Sequence, residues 1–290
     1  MKNTTEQVFP SATIAIVGAS GKTGDRVLSR LNAMGFKTRG LARSTDIPFD
    51  WSDRETWPNA LKGVSSAYVS YYPDLAVPQA EDDIRAFINI AQNQGVKHIV
   101  LLSGRGEEGA ERAEDLVINS GLNWNIVRAS WFMQNFSESF MLDGIQSGEL
   151  VLPIPNADEP FIDVDDIADV AVAALTRPSL RNELFEITGP DIISFENCLQ
   201  TISKVTGQKV QLNTLPVEVY LAAAKADGLD ENVAWLLNEL FANVLDGRNE
   251  FTTNTIEQVL GRPARSFEDY ALKTAKTGIW KINNIEKATS

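Results

Sequence analysis

The sequence predicts an α/β protein: a Rossmann-type doubly wound parallel sheet with a smaller, mainly helical C-terminal lobe. Three observations predict it. Short apolar, β-rich runs alternate with amphipathic helical stretches through the first two-thirds of the chain. Three spaced glycines stand directly between the first such run and the first helical stretch. After about residue 190 the alternation gives way to helical segments.

The expected strands are Thr13–Val17, Lys37–Ala42, Ala67–Tyr71, His98–Leu102, Trp124–Arg128 and Leu184–Thr188. They are short and mostly apolar, as strands are when both faces of a parallel sheet are covered. Between them, Val27, Leu28 and Leu31 share one helix face, which Gly35 stops. Ile84, Phe87, Ile88 and Ala91 fall at i, i+3, i+4 and i+7 before Gly95. Ile167, Val170, Ala171, Ala174 and Leu175 repeat that spacing before Pro178. Strand–helix alternation of this kind reads as repeated βαβ units.

Further on, Ser194 caps an expected helix with the apolar face Phe195, Cys198, Leu199 and Ile202. Helices are expected around Val217–Lys225 and Asn232–Leu245, and another opens at Ser266. There Asp269 takes the place of the usual Glu or Gln of a capping box. The reading divides the chain into a nucleotide-binding domain at 12–190, with 132–160 contributing to a pocket, and a substrate lobe at 191–290.

The chain has 290 residues and a formal net charge of −13. Such a field repels phosphate backbones and anionic lipid, so neither nucleic acid nor membrane is expected as a partner. Any site for an anionic cofactor must be locally positive, which makes individual Arg and Lys residues informative. The single cysteine, Cys198, allows no intramolecular disulfide, and with one histidine, His98, no metal site is expected. Both read as structural. Residues Met1 to Ala12 lack the basic start and apolar core of a signal peptide, and no apolar run approaches a membrane span. A reducing cytoplasm is the expected compartment.

Gly18-Ala19-Ser20-Gly21-Lys22-Thr23-Gly24 has the spacing G-x-x-G-x-x-G. Glycine lets the backbone turn tightly and approach a pyrophosphate, whose charge is met by free amides at the helix N-terminus. Ser20, Lys22 and Thr23 add side-chain donors. The second strand discriminates between nicotinamide cofactors. An NAD site usually ends it with an acid that binds the ribose 2′-hydroxyl. Here it runs into Ala42-Arg43-Ser44, so Arg43 stands where the acid would be and can pair with a 2′-phosphate, supported by Ser44. NADP(H) is the expected cofactor. Asp50 and Asp53 are expected near the adenine, after a third short strand.

These segments, together with Gly95–Ser103, Asn119–Arg128, Trp131–Phe136 and Phe161–Val170, carry a resemblance to the NmrA-like atypical short-chain dehydrogenase/reductases. The resemblance covers nearly the whole chain. It looks closest to a branch with bacterial NAD(P)H-binding proteins and the fungal ergot-alkaloid reductases of festuclavine and agroclavine type. It implies a Rossmann domain, an NADP(H) preference and a small C-terminal lobe that forms the substrate pocket.

The chain departs from the wider superfamily at the chemistry. No Tyr followed four residues later by Lys occurs after the strand His98–Leu102, and Ala110 takes the expected lysine position. The Tyr-x-x-x-Lys dyad is absent. A nicotinamide site still reduces substrates that need no strong acid, because the cofactor supplies the hydride. An iminium already carries its positive charge; a quinone or activated alkene takes a proton from water or a phenol. Tyr71 and Tyr72 are the phenols at the expected nicotinamide end, beside Ser70, and either one reads equally as aromatic packing. Ser103 sits where the superfamily places a substrate-orienting serine, and contacts either substrate or cofactor. Tyr71 and Ser103 are therefore both catalytic and cofactor candidates. Tyr72, Trp131, Phe132, Asn135 and Phe161 are expected at the substrate pocket, with interlobe core as the alternative for Trp131 and Phe132. Asp163, Asp165 and Asp166 form an acidic cluster read as offsetting a helix dipole.

Two functions follow. One is an NADPH-dependent reductase of a small electron-poor organic compound, an iminium, quinone or relative. The other is a non-catalytic NADP(H)-binding redox sensor with a protein partner. The balance leans to the enzyme.

Overall fold

The computed structural model describes residues 12–154 and 157–281. The stretch read for a leader lies outside them, Ala12 excepted. In chain order, β1 (Thr13–Val17), α1 (Lys22–Ala33) and β2 (Thr38–Leu41) lead to a short α2 (Trp57–Leu61) and β3 (Val64–Val69). Then come α3 (Pro78–Asn93), β4 (His98–Gly104), α4 (Glu108–Ile118) and β5 (Asn123–Ala129). The later elements are α5 (Met141–Ser147), β6 (Glu149–Leu152), α6 (Val164–Thr176), β7 (Glu183–Ile187), α7 (Phe195–Thr206) and β8 (Gln211–Thr214). The last are α8 (Val217–Ala226), α9 (Glu231–Asn238), α10 (Thr255–Leu260) and α11 (Phe267–Ala275).

The chain forms two compact units. The first comprises residues 1–130, 164–188 and 253–264; the second comprises 131–163, 189–252 and 265–290. The single division expected near 190 is thus replaced by crossings after 130, 163, 188, 252 and 264. The reason is that residues 131–163 come early in the chain yet belong to the second unit, and α10 comes late yet belongs to the first.

That unit is a six-stranded sheet of order β2-β1-β3-β4-β5-β7, parallel throughout. All six expected strands are present, with ends moved by a few residues. The sheet reverses direction between β1 and β3, the place where an open α/β sheet leaves a crevice at its carboxyl edge. The third short strand expected before Asp50 is not there: Asp50 and Asp53 share an isolated bridge, and Asp53 accepts from the Glu55 amide to cap a 3-10 turn.

Local sequence explains the elements. Val27 and Leu31 are fully buried under α1, and each such side chain contributes about 2 kcal/mol by leaving water. Gly35 and Gly95 stop α1 and α3 at φ +81° and +86°, a backbone region costly for other residues. Helix α6 is buried along nearly its whole length. Its acids do more than offset a dipole. Asp165 and Asp169 bind Arg30 of α1, each at 2.7 Å, and Arg262 reaches Asp166 at 2.7 Å and Asp169 at 2.5 Å. This network ties α1, α6 and the segment after α10 together.

In the second unit β6 and β8 pair as a two-stranded parallel sheet that the helical periodicity of this region conceals. Its core gathers Phe136, Phe161, Phe195, Phe241, Phe267 and Trp280, with Cys198 buried among them. Ser194 Oγ accepts from the Asn197 amide and Ser266 Oγ from the Asp269 amide, so both expected caps form. Ser266 Oγ also donates to the Asp269 carboxylate, a side-chain pair in place of the capping box's bond to the N-cap amide. The helix expected over Asn232–Leu245 is α9 followed by a π-helical turn, Glu239–Val244. Among the described residues no helix is long and apolar enough to cross a membrane.

His98 begins β4, fully buried, with Nε2 2.9 Å from Asn125 Oδ1. Burial lowers its pKa to about 4 from the ordinary 6.5. As pH falls below 6.5, an unfolded chain protonates this ring before the folded one does. Stability is therefore complete above 6.5 and declines between 6.5 and 4, by about 3 kcal/mol in all. We expect urea midpoints measured across that window to fall for the parent chain, and the part of the slope due to this ring to vanish in His98→Gln.

Candidate functional site

The carboxyl edge of the six-stranded sheet collects most of the residues singled out in the sequence. Gly18 leaves β1 at φ +81°, and a β-carbon on it would come to 3.2 Å from Ser70 Cβ, so β1 and β3 close tightly at the crevice. A β-carbon on Gly24 would overlap the Gly18 carbonyl oxygen, which fixes the first turn of α1 against the end of β1. Gly21, whose amide donates to the Gly18 carbonyl at 2.9 Å, is the N-cap of α1 and offers no side chain to its amides. Ser20 and Gly21 are exposed. The loop is an open backbone cradle at the positive end of a twelve-residue helix.

Thr23 differs from its neighbours. It is buried, and its hydroxyl accepts from Tyr68 at 2.9 Å beneath the loop. Its hydroxyl is thus directed into the sheet packing.

Arg43 and Ser44 stand exposed just past β2. Arg43 donates no hydrogen bond to any described residue, which leaves its five N–H groups available. Its guanidinium lies 5.7 Å from the ring centroid of Tyr72. Asp50 is the acid nearest in charge to Arg43, but its carboxylate accepts from the Ser52 amide and hydroxyl at 3.0 and 2.8 Å. Those bonds, the amide's first, hold the Asp50 carboxyl below its usual range.

Beside them Trp51 donates from Nε1 to the Ser70 carbonyl at 3.2 Å, with its ring 4.7 Å from that of Tyr71. Phe49, Trp57 and Phe87 back this wall. The cluster was invisible as a site in the sequence; its only signal was two tryptophans and a phenylalanine within nine residues. Tyr71 donates its hydroxyl to Asp83 Oδ2 at 2.7 Å. Burial first, and the Asp83 carboxylate second, push its pKa upward, so the phenol stays protonated.

Nearer β4 and β5, two hydroxyls are buried without a partner. Ser103 Oγ and Ser130 Oγ belong to residues only 4% and 2% exposed, and neither has a hydrogen bond among the described residues. Ser103 pairs in register with Arg128, and Ser130 lies two residues on, donating its amide to Ile187. Alternation puts both on one face of the sheet. Ser130 was missed in the sequence, where a serine after a strand carries no distinguishing signal. An unpartnered buried hydroxyl costs about 1–3 kcal/mol, which marks both as places where a bound group is expected to supply the missing bond.

On the opposite face of β4 from Ser103, the Glu107 carboxylate occupies the space where a β-carbon on Gly104 would stand. Glu107 hydrogen-bonds the carboxyl of Asp74, which also accepts from the Ala76 amide at 2.8 Å. Burial pushes the Asp74 carboxyl above its ordinary range. Neither acid was singled out in the sequence, because they lie 33 residues apart on separate loops.

The remaining expected pocket residues belong to the second unit. Trp131 is half-buried with its ring 5.7 Å from Phe195 and 5.3 Å from Phe241. Phe132 and Asn135 are half-buried, and Phe132 bridges to Ile162. Phe161 is 1% exposed amid Phe136, Phe195 and Phe267, a core position of that unit. Asp163 is buried and accepts from Gln134 Nε2 at 2.7 Å. Among the described residues no group of His, Cys, Asp and Glu is arranged to hold a metal ion.

Comparison with known proteins extends this picture. Prestalk A differentiation protein A of Dictyostelium discoideum is 29% identical over 270 residues, covering 92% of this chain and 88% of its own length. Agroclavine dehydrogenase of Claviceps fusiformis is 27% identical over 276 residues, covering 89% and 96%. Among solved structures, the Citrobacter sp. triphenylmethane reductase complexed with NADP(H) superimposes with a TM-score of 0.74 at 18% identity. It covers 91% of this chain and 99% of that one, a likeness of fold. The model of the NmrA-like family matches residues 10–272, and the chain belongs to that family.

Proposed function

We propose that this chain is an NADPH-dependent reductase of a small electron-poor organic compound, an iminium, a quinone or a relative, working without the Tyr-x-x-x-Lys dyad. The observation that carries the reading is the pairing of an open glycine cradle with an exposed arginine whose donors are all free. In a chain of net charge −13, an unneutralised cation beside such a loop calls for an anion. Gly18, Ser20, Gly21, Lys22 and Gly24 would hold the pyrophosphate, with Thr23 bracing the loop from below. Arg43 and Ser44 would hold the 2′-phosphate. Ser70 and Tyr71, with Trp51, would wall the adenosine half, and Ser103 and Ser130 have hydroxyls to offer the nicotinamide end.

When bound, NADPH supplies a hydride. The residues of the chain orient it. Tyr71 has its hydroxyl committed to Asp83 and serves better as wall than as acid. An iminium needs no proton to be reduced. A quinone does, and water would supply it. By their names, agroclavine dehydrogenase and triphenylmethane reductase are oxidoreductases of small organic compounds, which supports a small-molecule substrate here. Trp131, Phe132 and Asn135 of the second unit remain candidates for contact with the substrate, with Phe161 a core support behind them.

The direct test is NADPH oxidation by the purified chain with quinones, azo dyes and cyclic imines. Turnover above background with at least one class is expected, and none with any class would remove the reductase. Arg43→Ala is expected to weaken NADPH by about ten- to a hundredfold and NADH far less, as loss of a charge-assisted bond implies. Equal losses in a binding titration would remove the 2′-phosphate role. Ser103→Ala is expected to raise the unfolding free energy of the cofactor-free chain by about 1 kcal/mol, because a buried hydroxyl without a partner disappears. The same variant is expected to lower kcat/KM. Unchanged turnover would show that Ser103 touches neither cofactor nor substrate.

A further inference from the structure

Tyr72 was expected beside a substrate, yet its ring lies against the guanidinium of Arg43. The two residues come from different strands. Arg43 follows β2, Tyr72 follows β3, and β1 runs between them. Their contact therefore spans the end of β1, where Gly18 opens the glycine loop. Tyr72 is 69% exposed, the most exposed large hydrophobic side chain among the described residues. A ring left that open is not packing a core. The contact it makes is with a cation that has no hydrogen bond of its own.

We propose that Tyr72 is a specificity-determining residue that sets the preference for a 2′-phosphate by holding Arg43 in place at the end of β2. The proposal rests on the reading of Arg43 given above. An exposed arginine on a flexible stem loses rotamer freedom when it captures an anion, and that loss weakens binding. A side chain that already positions the guanidinium removes part of it. Tyr72 does so from the ring face, through the aromatic quadrupole. That mode leaves all five N–H donors for the phosphate, whereas a carboxylate partner would occupy them and oppose the incoming charge. Asp50, whose carboxylate feels the Arg43 charge, is hydrogen-bonded to Ser52 and takes no hydrogen bond from the guanidinium.

The inference separates Tyr72 from the general wall of the site. A stacking residue for adenine would favour every adenine nucleotide alike. A residue acting through Arg43 favours only those with a 2′-phosphate.

Calorimetric titration with 2′,5′-ADP and with 5′-ADP distinguishes the two without turnover. Tyr72→Ala is expected to weaken 2′,5′-ADP by about two- to fivefold, the range of an exposed cation–π contact, and to leave 5′-ADP unchanged. Tyr72→Phe keeps the ring and is expected to match the parent chain. In the Arg43→Ala background, Tyr72→Ala is expected to have no further effect. Equal weakening of both nucleotides by Tyr72→Ala would make Tyr72 an adenine wall and overturn the proposal, as would no weakening of either. If Arg43→Ala discriminates between the nucleotides while Tyr72→Ala does not, the arginine reading stands and the tyrosine proposal falls. If Arg43→Ala treats both alike, both fall. Unchanged urea midpoints for the exposed-residue variants confirm that each protein tested is folded.

Discussion

The carbonyl oxygen of Gly18 fills the space that a β-carbon on Gly24 would need, and the rest of the first unit is arranged around that close approach. It seats the first turn of α1 directly on the end of β1. With α1 so fixed, its amides open toward the crevice at the reversal of strand order, and its buried face lies along the sheet. Arg30, on the same helix, then meets the acids of α6. A backbone contact of a few atoms thereby fixes both the cradle and the helix that the ion-pair network grips. Those pairs are partly solvated, so each contributes only about 1 kcal/mol or less; their value lies in orientation.

The polar groups of the crevice fall into two kinds. Arg39, Arg54, Arg105 and Arg128 are consumed by carbonyls or carboxylates of the chain itself. Arg43 is not, and neither are the hydroxyls of Ser103 and Ser130. Folding satisfies its own groups wherever it can, because an orphaned buried group costs more than a formed bond gains. Ser103 and Ser130 lie at the carboxyl ends of β4 and β5, whereas His98 Nδ1, also without a partner among the described residues, lies at the start of β4. Ala110 packs fully buried in α4.

How much of this was readable in the sequence depended on the range of the signal. β1, β4 and β5 were legible because their apolar runs are bounded by glycine and polar residues within a few positions. Gly18, Gly21, Gly24 and Arg43 were legible because a glycine loop and the strand after it use fixed local spacing. The Ser194 and Ser266 caps were legible for the same reason. What was not legible required contacts distant in sequence. β6 and β8 pair across some 60 residues and are only four residues each, too short to show alternation. Asp74 meets Glu107, Tyr72 meets Arg43, and Arg262 meets Asp166, none of them with a local signature. The third strand expected before Asp50 failed for the opposite reason: Ile47 and Phe49 look like a strand, but Pro48 between them lacks an N–H, and the segment packs its aromatic rings without pairing.

The interleaving of the two units has a consequence for synthesis. The sheet cannot receive β7 until the chain has passed through 131–163, and the Arg262 contacts with α6 form only after 189–252 has followed. At ribosomal rates of about 5–20 residues per second, the interval between the ends of β5 and β7 is on the order of several seconds. Throughout it, the nascent sheet ends at β5, with the backbone of that strand open on one side. A chain built this way carries an unpaired edge at the ribosome for far longer than its elements need to fold.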